Sequence, residues 1–184
     1  MEDLSLHILD IVENSINAGA RNVVIIVRED RVKDQMEIEI TDDGKGMSAE
    51  VIVKATDPFY TTRTTRRIGL GLALFQEAAR IANGRMDIRS SPESGTTIAA
   101  TFQLTNIDSK PLGDMAATLV TLIAGNPEVN FTYRHERDGE TLLVDTKDLR
   151  ARLQGVSMNS PDILAFIRTY IAELSDTLSK PARR

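Results

Sequence analysis

Asp10 and Asn14 stand four residues apart in "DIVENSINAGA", Asp10 to Ala20, a stretch whose apolar residues otherwise have helical spacing. Asn and Asp compete with the helical backbone for hydrogen bonds, so their presence here has a local cost. At about 100° per residue, His7, Asp10, Asn14 and Asn17 fall within a stripe about 80° wide, away from Ile8, Leu9, Val12 and Ile16. A carboxylate and a carboxamide at i and i+4 then project side by side. Such a pair suits a hydrated Mg²⁺ and an activated water or hydroxyl, because both groups supply hard oxygen donors. For this helix alone, a solvated polar face is an equal alternative, and Glu13 points off the stripe as ordinary surface.

Three further stretches carry chemistry. In "EITDDGKGM" a strand ends on a carboxylate, Asp42, and turns through Gly44 and Gly46, which lets the backbone approach a flat ligand. Asp42 can accept a hydrogen bond from an exocyclic amine such as that of adenine. From Pro58 to Gln76 there are three Arg, four Thr and no acid, and Gly69 and Gly71 open a helix. Close glycine backbone at a helix N-terminus, with hydroxyls and guanidinium groups nearby, is a phosphate site on electrostatic grounds. No strand precedes these glycines and the third glycine of a dinucleotide fingerprint is missing; the P-loop pattern is absent as well. In "ESGTTIAATF", Gly95-Thr96 begins a strand that can place a hydroxyl near a base.

The elements positioning these residues are legible in outline. A helix spans Leu4 to Ala18, with Gly19 as its left-handed cap. "NVVIIVRE" and "QMEIEITD" form a hairpin-like strand pair, a short helix starts near Ala49, and "TDPFYTTRTTRRIG" is a loop. "LGLALFQEAARIANG" is a helix ended by Gly84, followed by two strands around "PESG". This order predicts an α/β two-layer sandwich, a mixed sheet with helices on one face. After Thr105 comes a polar junction and an α-β-β-α extension over 106–184. It has a hairpin turning at Asp138-Gly139 and a closing helix from Pro161 with Ser160 as N-cap. Ile163, Ile167, Ile171 and Leu174 line one face of that helix, for packing on the domain at 1–105 in preference to a partner surface.

The 184 residues have a net charge of -5, with 41% hydrophobic and 27% charged residues, the profile of a soluble globular chain. The acidic balance disfavours broad nucleic-acid binding. With no Cys and two His, thiol chemistry is excluded and structural zinc disfavoured. The acidic start and the lack of any membrane-length apolar run point to a cytoplasmic protein without leader or membrane span.

The four chemical stretches, in this order and spacing, resemble the GHKL superfamily of ATP-binding domains found in gyrase-type topoisomerases, a heat-shock chaperone, histidine kinases and mismatch-repair ATPases. "DIVENSINAGA" is similar to its N box, "DDGKGM" to its first glycine box, "DPFYTTRTTRRIGLGL" to its lid and second glycine box, and "SGTTIAATF" to its last box. The resemblance covers Leu4 to Leu104. It implies the Bergerat type of sandwich, with ATP and Mg²⁺ as cofactors. It implies that Asn14 ligates Mg²⁺, Asp42 binds the adenine amine, Gly44 and Gly46 shape the adenine pocket, and Thr96 supports the base through water. Gly69, Leu70 and Gly71 would offer backbone to the phosphates; Asn17, Met47, Thr61, Thr62, Arg63 and Leu72 would complete the nucleotide site. Asp10 stands where hydrolytic and serine-kinase members carry a Glu base, and Arg67 replaces the first glycine usual in the second box.

The expected function is Mg-ATP binding with γ-phosphate transfer to a protein, or hydrolysis. The alternative is a non-catalytic ATP-responsive regulatory module, and a DNA-linked ATPase ranks third. The phosphoacceptor hairpin of a sensor kinase is not expected before residue 4. His7 is expected to be solvent-facing or capping and His135 an exposed strand residue, so the acceptor would be another protein; a homodimer stays open.

Overall fold

The computed structural model describes residues 3–56, 70–153 and 155–179. Its centre is one six-stranded mixed sheet in the order β3-β4-β2-β1-β5-β6. The strands are β1 (Asn22–Asp30), β2 (Gln35–Asp42), β3 (Met86–Ser90), β4 (Thr96–Gln103), β5 (Asn130–Arg137) and β6 (Glu140–Asp145). Every neighbouring pair is antiparallel except β1 and β5, which run parallel with Asn22 opposite Asn130. The strands added by the C-terminal 79 residues therefore extend the same sheet rather than forming their own, which local sequence patterns do not announce.

Alternation along the strands separates two faces. Val23, Ile25 and Val27 of β1, Met36, Ile38 and Ile40 of β2, Ile98, Ala100 and Phe102 of β4, and Phe131 and Tyr133 of β5 are buried. Their neighbours on the opposite face stay half-exposed, and Arg28 there meets Glu37, Glu39 and Glu136. The helices supply the layer over the buried face: α1 (Leu4–Asn17), α2 (Ala49–Thr56), α3 (Leu70–Ile81), α4 (Met115–Gly125), α5 (Thr146–Arg152) and α6 (Pro161–Ser179). The extension thus has one helix more than the α-β-β-α pattern; Asp145 caps short α5, accepting from the backbone N–H of Lys147 at 2.8 Å.

Local signals were honoured with two exceptions. Gly19, at φ +85°, ends α1, and the β5–β6 hairpin turns on Asp138 and Gly139, both at positive φ. At the end of α3, however, the left-handed residue is Asn83 (φ 54°), not Gly84. Gly84 closes the helix by donating to the Ala79 carbonyl, and a Cβ on it would strike the Thr101 carbonyl oxygen of β4. α6 does begin at Pro161, but the Ser160 hydroxyl has no hydrogen-bond partner among the described residues, so it does not cap the helix through its side chain.

Both histidines depart from expectation. His7 is 1% exposed, covered by Phe75 of α3 at a ring separation of 5.8 Å and by Lys110, whose Nζ lies 3.4 Å from its Nε2. The segment 110–112 reaches it by pairing with the start of α1, since Leu4 and Ser5 donate to the carbonyls of Pro111 and Leu112. His135 is also buried; its Nε2 meets Glu29 Oε1 at 2.9 Å and its Nδ1 meets the Tyr133 hydroxyl at 3.2 Å. The β1–β5 pairing buries His135 against Glu29, a contact made across 106 residues of chain. Burial alone would raise the Glu29 carboxyl, but His135 and Arg137 outweigh it and hold it below the ordinary value. Burial pushes the Tyr133 hydroxyl well above its ordinary pKa.

Candidate functional site

Between α1, the turn after β2, α2 and the start of β4 lies a cavity of about 380 Å³, within the range of small-molecule sites. Its apolar walls come from Ile11, Met47, Val51, Ala55, Leu72 and Ile98, and its polar groups include Asn14, Asn17, Asp42 and Thr96, with Ser15, Lys45 and Ser48 beside them. A larger cleft of about 610 Å³ lies between the β1–β2 and β5–β6 hairpins, but charged side chains such as Arg28, Lys33, Glu37 and Arg137 dominate its lining, with no wall for a planar apolar ligand.

Asp42 forms the floor. It is the last residue of β2 and is buried, and both carboxylate oxygens are held: Oδ2 accepts from Ser15 Oγ at 2.7 Å and Oδ1 from the Gly44 N–H at 2.9 Å. Since an ionised carboxylate offers about four acceptor sites, capacity remains toward the cavity. Ser15 follows Asn14 and sits on the apolar face with Ile8, Ile11 and Val12, all buried. That position, a hydroxyl in register with the core stripe, is the sequence signal that would have found it.

The glycine turn is built for close approach. Gly46 has φ +67°, and a Cβ there would collide with the Ser91 carbonyl oxygen. Lys45 N–H donates to the Ala18 carbonyl at the end of α1, and Glu93 N–H donates to the Lys45 carbonyl at 2.7 Å. Ser90 is a second residue that sequence reasoning missed. Its hydroxyl accepts from Met47 N–H at 2.8 Å, donates to the Gly95 carbonyl and lies 2.9 Å from Thr96 Oγ1. Nothing in its local sequence context signals this, because the partners come from two other segments.

Asp10 and Asn14, one turn apart on α1, are both half-buried, and Asn17 is exposed at the helix end. The Asp10 carboxylate lies against the first turn of α3: a Cβ on Gly71 would overlap its Oδ2. That contact explains a glycine at the second position of a 12-residue helix, where alanine is otherwise preferred. Leu70 starts α3 and Leu72 lines the cavity. The structure therefore brings Asn14, Asn17, Asp42, Gly46, Met47, Leu72 and Thr96 around one cavity, with Gly44 behind its floor and Asp10 and Gly71 touching each other. Thr61, Thr62, Arg63 and Gly69 lie outside the described residues.

The donors fit the groups the motifs imply. A largely apolar cavity with a fixed acceptor at its floor suits a purine carrying an exocyclic amine. No group of three His, Cys, Asp or Glu that could hold a metal occurs among the described residues. A single carboxamide oxygen at Asn14, beside the half-buried Asp10, suits Mg²⁺ that keeps its remaining ligands from phosphate and water.

A mixed sheet with helices on one face, opening on this cavity, defines the class of two-layer α/β sandwiches. Residues 2–106 match the family of histidine kinase-, DNA gyrase B- and HSP90-like ATPases, and the chain belongs to that family. Among curated relatives it is 30% identical over 119 residues to the non-motile and phage-resistance protein of Caulobacter vibrioides, covering 60% of this chain and 14% of that one. It is 27% identical to sensor protein DegM of Bacillus sp. over 53% of this chain and 26% of that protein. To sensor histidine kinase YvrG of Bacillus subtilis it is 29% identical, over 49% of this chain and 16% of YvrG. The matches thus span no more than about a quarter of these relatives' lengths. Among solved structures, the N-terminal domain of a DNA repair protein superposes with a TM-score of 0.53 at 17% identity, covering 78% of this chain and 52% of that one, a likeness of fold. Among the described residues, no helix is long and apolar enough to cross a membrane.

Proposed function

We propose that this chain binds Mg-ATP in the cavity beside α1 and transfers the γ-phosphate to a protein acceptor. The observation that carries the nucleotide assignment is Asp42, buried, held by Ser15 and Gly44, and facing an apolar slot. Adenine presents its amine to such an acceptor; guanine would present a carbonyl oxygen and meet repulsion. Ile11, Met47 and Ile98 exclude water from the ring faces, and Thr96 supports the base through water. The Asn14 carboxamide oxygen binds Mg²⁺, which when bound neutralises charge on the phosphates. Asn17 extends the polar rim. The N–H groups of Leu70 and Gly71 at the start of α3 receive phosphate oxygens, as helix N-termini do. Asp10 orients the acceptor hydroxyl or takes its proton. Residues 106–184 form an extension that supports the domain at 1–105, in a cytoplasmic signalling protein that meets a partner or a second copy of itself.

A second reading, ATP binding without turnover, is favoured by Asp10 itself. Aspartate is one methylene shorter than glutamate and lies against Gly71; a displacement of about 1 Å can cost on the order of a hundredfold in rate. Incubation of the full chain with γ-labelled ATP, alone and with cell extract, separates the two. Label on a second protein, lost with Asp10→Asn, supports transfer. Free phosphate, also lost with Asp10→Asn, identifies hydrolysis, and bound intact ATP with neither product establishes the second reading. Failure to retain ATP at all overturns both.

A further inference from the structure

Asp43, next in sequence to the floor residue Asp42, is the end of a hydrogen-bond relay that begins in the extension. Asp43 Oδ1 accepts from the backbone N–H groups of Arg21 at 2.7 Å and Asn22 at 2.8 Å, and its Oδ2 accepts from Asn22 Nδ2 at 2.6 Å. Asn22 Oδ1 accepts from Asn130 Nδ2 at 2.9 Å across the parallel β1–β5 pair, and Asn130 Oδ1 accepts from Arg150 Nη1 at 2.7 Å. The other guanidinium nitrogen, Nη2, donates to the carbonyls of Pro127 at 2.7 Å and Val129 at 3.3 Å.

The polarity of this chain is forced. A carboxylate only accepts and a guanidinium only donates, so each carboxamide between them has a single consistent orientation. Both end bonds are charge-assisted, and bonds aligned in one sense reinforce one another. Burial alone would raise the Asp43 carboxyl, but the Asn22 carboxamide and the N–H groups of Asn22 and Arg21 outweigh it and hold it below its ordinary value. Arg150 is itself anchored: α5 starts at the Asp145 cap, and Thr146 Oγ1 accepts from Phe131 N–H of β5 at 2.8 Å.

We infer that Arg150 and Asn130, which lie outside the family-matched residues 2–106, are positioning residues for the adenine acceptor, holding Asp42 in place through Asn22 and Asp43. The inference rests on the proposal that Asp42 receives the adenine amine. The far side of the turn is already fixed by Lys45 on Ala18 and Glu93 on Lys45. Asp43 is the anchor on the near side: Arg21 and Asn22 hold it directly, and the extension braces the Asn22 carboxamide through Asn130 and Arg150. Loss of Arg150 loosens the Asn22 carboxamide against Asp43 and lets the turn that carries Asp42 shift slightly, which weakens a bond sensitive to its placement and spares contacts made elsewhere on the nucleotide.

The test compares binding of Mg-ATP with that of the Mg complex of purine riboside triphosphate, which lacks the exocyclic amine, to the full chain. The parent should prefer ATP by about tenfold or more, the worth of a hydrogen bond to a charged acceptor. Arg150→Met and Asn130→Ala should each weaken ATP by about three- to tenfold while changing the amine-free nucleotide by less than about twofold, and Arg150→Lys should recover part of the preference. Arg150→Met added to Asp43→Asn should cost nothing further, because the two act through one chain. Should Arg150→Met not fold, Asn130→Ala carries the test, since its backbone pairing with β1 is retained. Equal weakening of both nucleotides, or parental preference in both variants, overturns the relay while leaving the adenine assignment standing. A parent that binds ATP and the amine-free nucleotide equally overturns the assignment and the relay together.

Discussion

Helices α1 and α4 lie side by side in one layer, and each begins at an aspartate that accepts from the third residue on, Asp3 from Leu6 N–H and Asp114 from Ala117 N–H. Beyond the caps they differ. α4 buries Met115, Ala116, Leu119, Leu122 and Ile123, with Thr118 its one buried polar residue. α1 buries Leu4, Ile8, Ile11 and Val12 but also Ser5, His7 and Ser15, and it carries Asp10 and Asn14 half-buried along the side toward the cavity. Where only packing is required, the sequence agrees with its own helix. Of the departures in α1, Asn14 and Ser15 line the cavity and Asp10 meets Gly71, while Ser5 and His7 face the segment at 110–112.

The sharpest way to break this contrast is to truncate one buried residue in each helix. Leu119→Ala in α4 should cost about 2–5 kcal/mol of stability by chemical denaturation, through lost burial and the cavity left behind. If its fold is retained, intrinsic nucleotide affinity should be unchanged. Ser15→Ala in α1 should cost about 1 kcal/mol of stability yet reduce ATP affinity several-fold, because Asp42 loses a donor. Comparable loss of ATP affinity from both would erase the distinction.

A second difference is titratable. Burial, then Lys110, lowers the His7 pKa from 6.5 to about 4, and its Nδ1 has no hydrogen-bond partner among the described residues. The folded state therefore holds His7 neutral where the unfolded chain would protonate it. The stability this contributes is fully present above pH 6.5 and lost as pH falls from there toward 4. The loss should be at most about 3 kcal/mol, lessened by solvent reaching Lys110. Unfolding curves across this window should flatten in His7→Leu, and an equally steep profile in that variant would remove His7 from the account.

The glycines give a third contrast of smaller size. Gly71→Ala should destabilise by about 1–3 kcal/mol and disturb nucleotide binding, since the new methyl overlaps Asp10. Gly125→Ala, at the end of α4, meets nothing within 4 Å among the described residues and should stabilise by about 0.4–1 kcal/mol. Thermal unfolding of the two variants checks the opposite signs. The smallest effect is expected on the open sheet face: Arg28→Gln, breaking partly exposed ion pairs with Glu37 and Glu39, should change stability by about 0–1 kcal/mol.

What could be read in the sequence follows from the range of each interaction. The period of α1, the alternation of β1 and β2, and the Asp138-Gly139 turn are local and were legible. Asp42, Asn14 and Thr96 were legible because motifs in register named them, and the cavity brings them together. The parallel β1–β5 pairing, the burial of His7 under residues 110–112 and of His135 against Glu29, and the Ser90 contacts each join segments far apart in the chain. No residue spacing signals such pairings. Asn83 took the cap expected of Gly84 because glycine was needed against the Thr101 carbonyl, a constraint visible only once β4 is in place.

Calorimetric titration of the full chain and of Asp42→Asn with Mg-ATP tests the central claim most directly. The parent should bind saturably and one-to-one, and the variant, whose amide no longer offers the paired acceptor, should lose affinity on the order of a hundredfold. A parent that takes up no ATP, or an Asp42→Asn chain that binds it as tightly as the parent, would rule out Asp42 as the adenine acceptor.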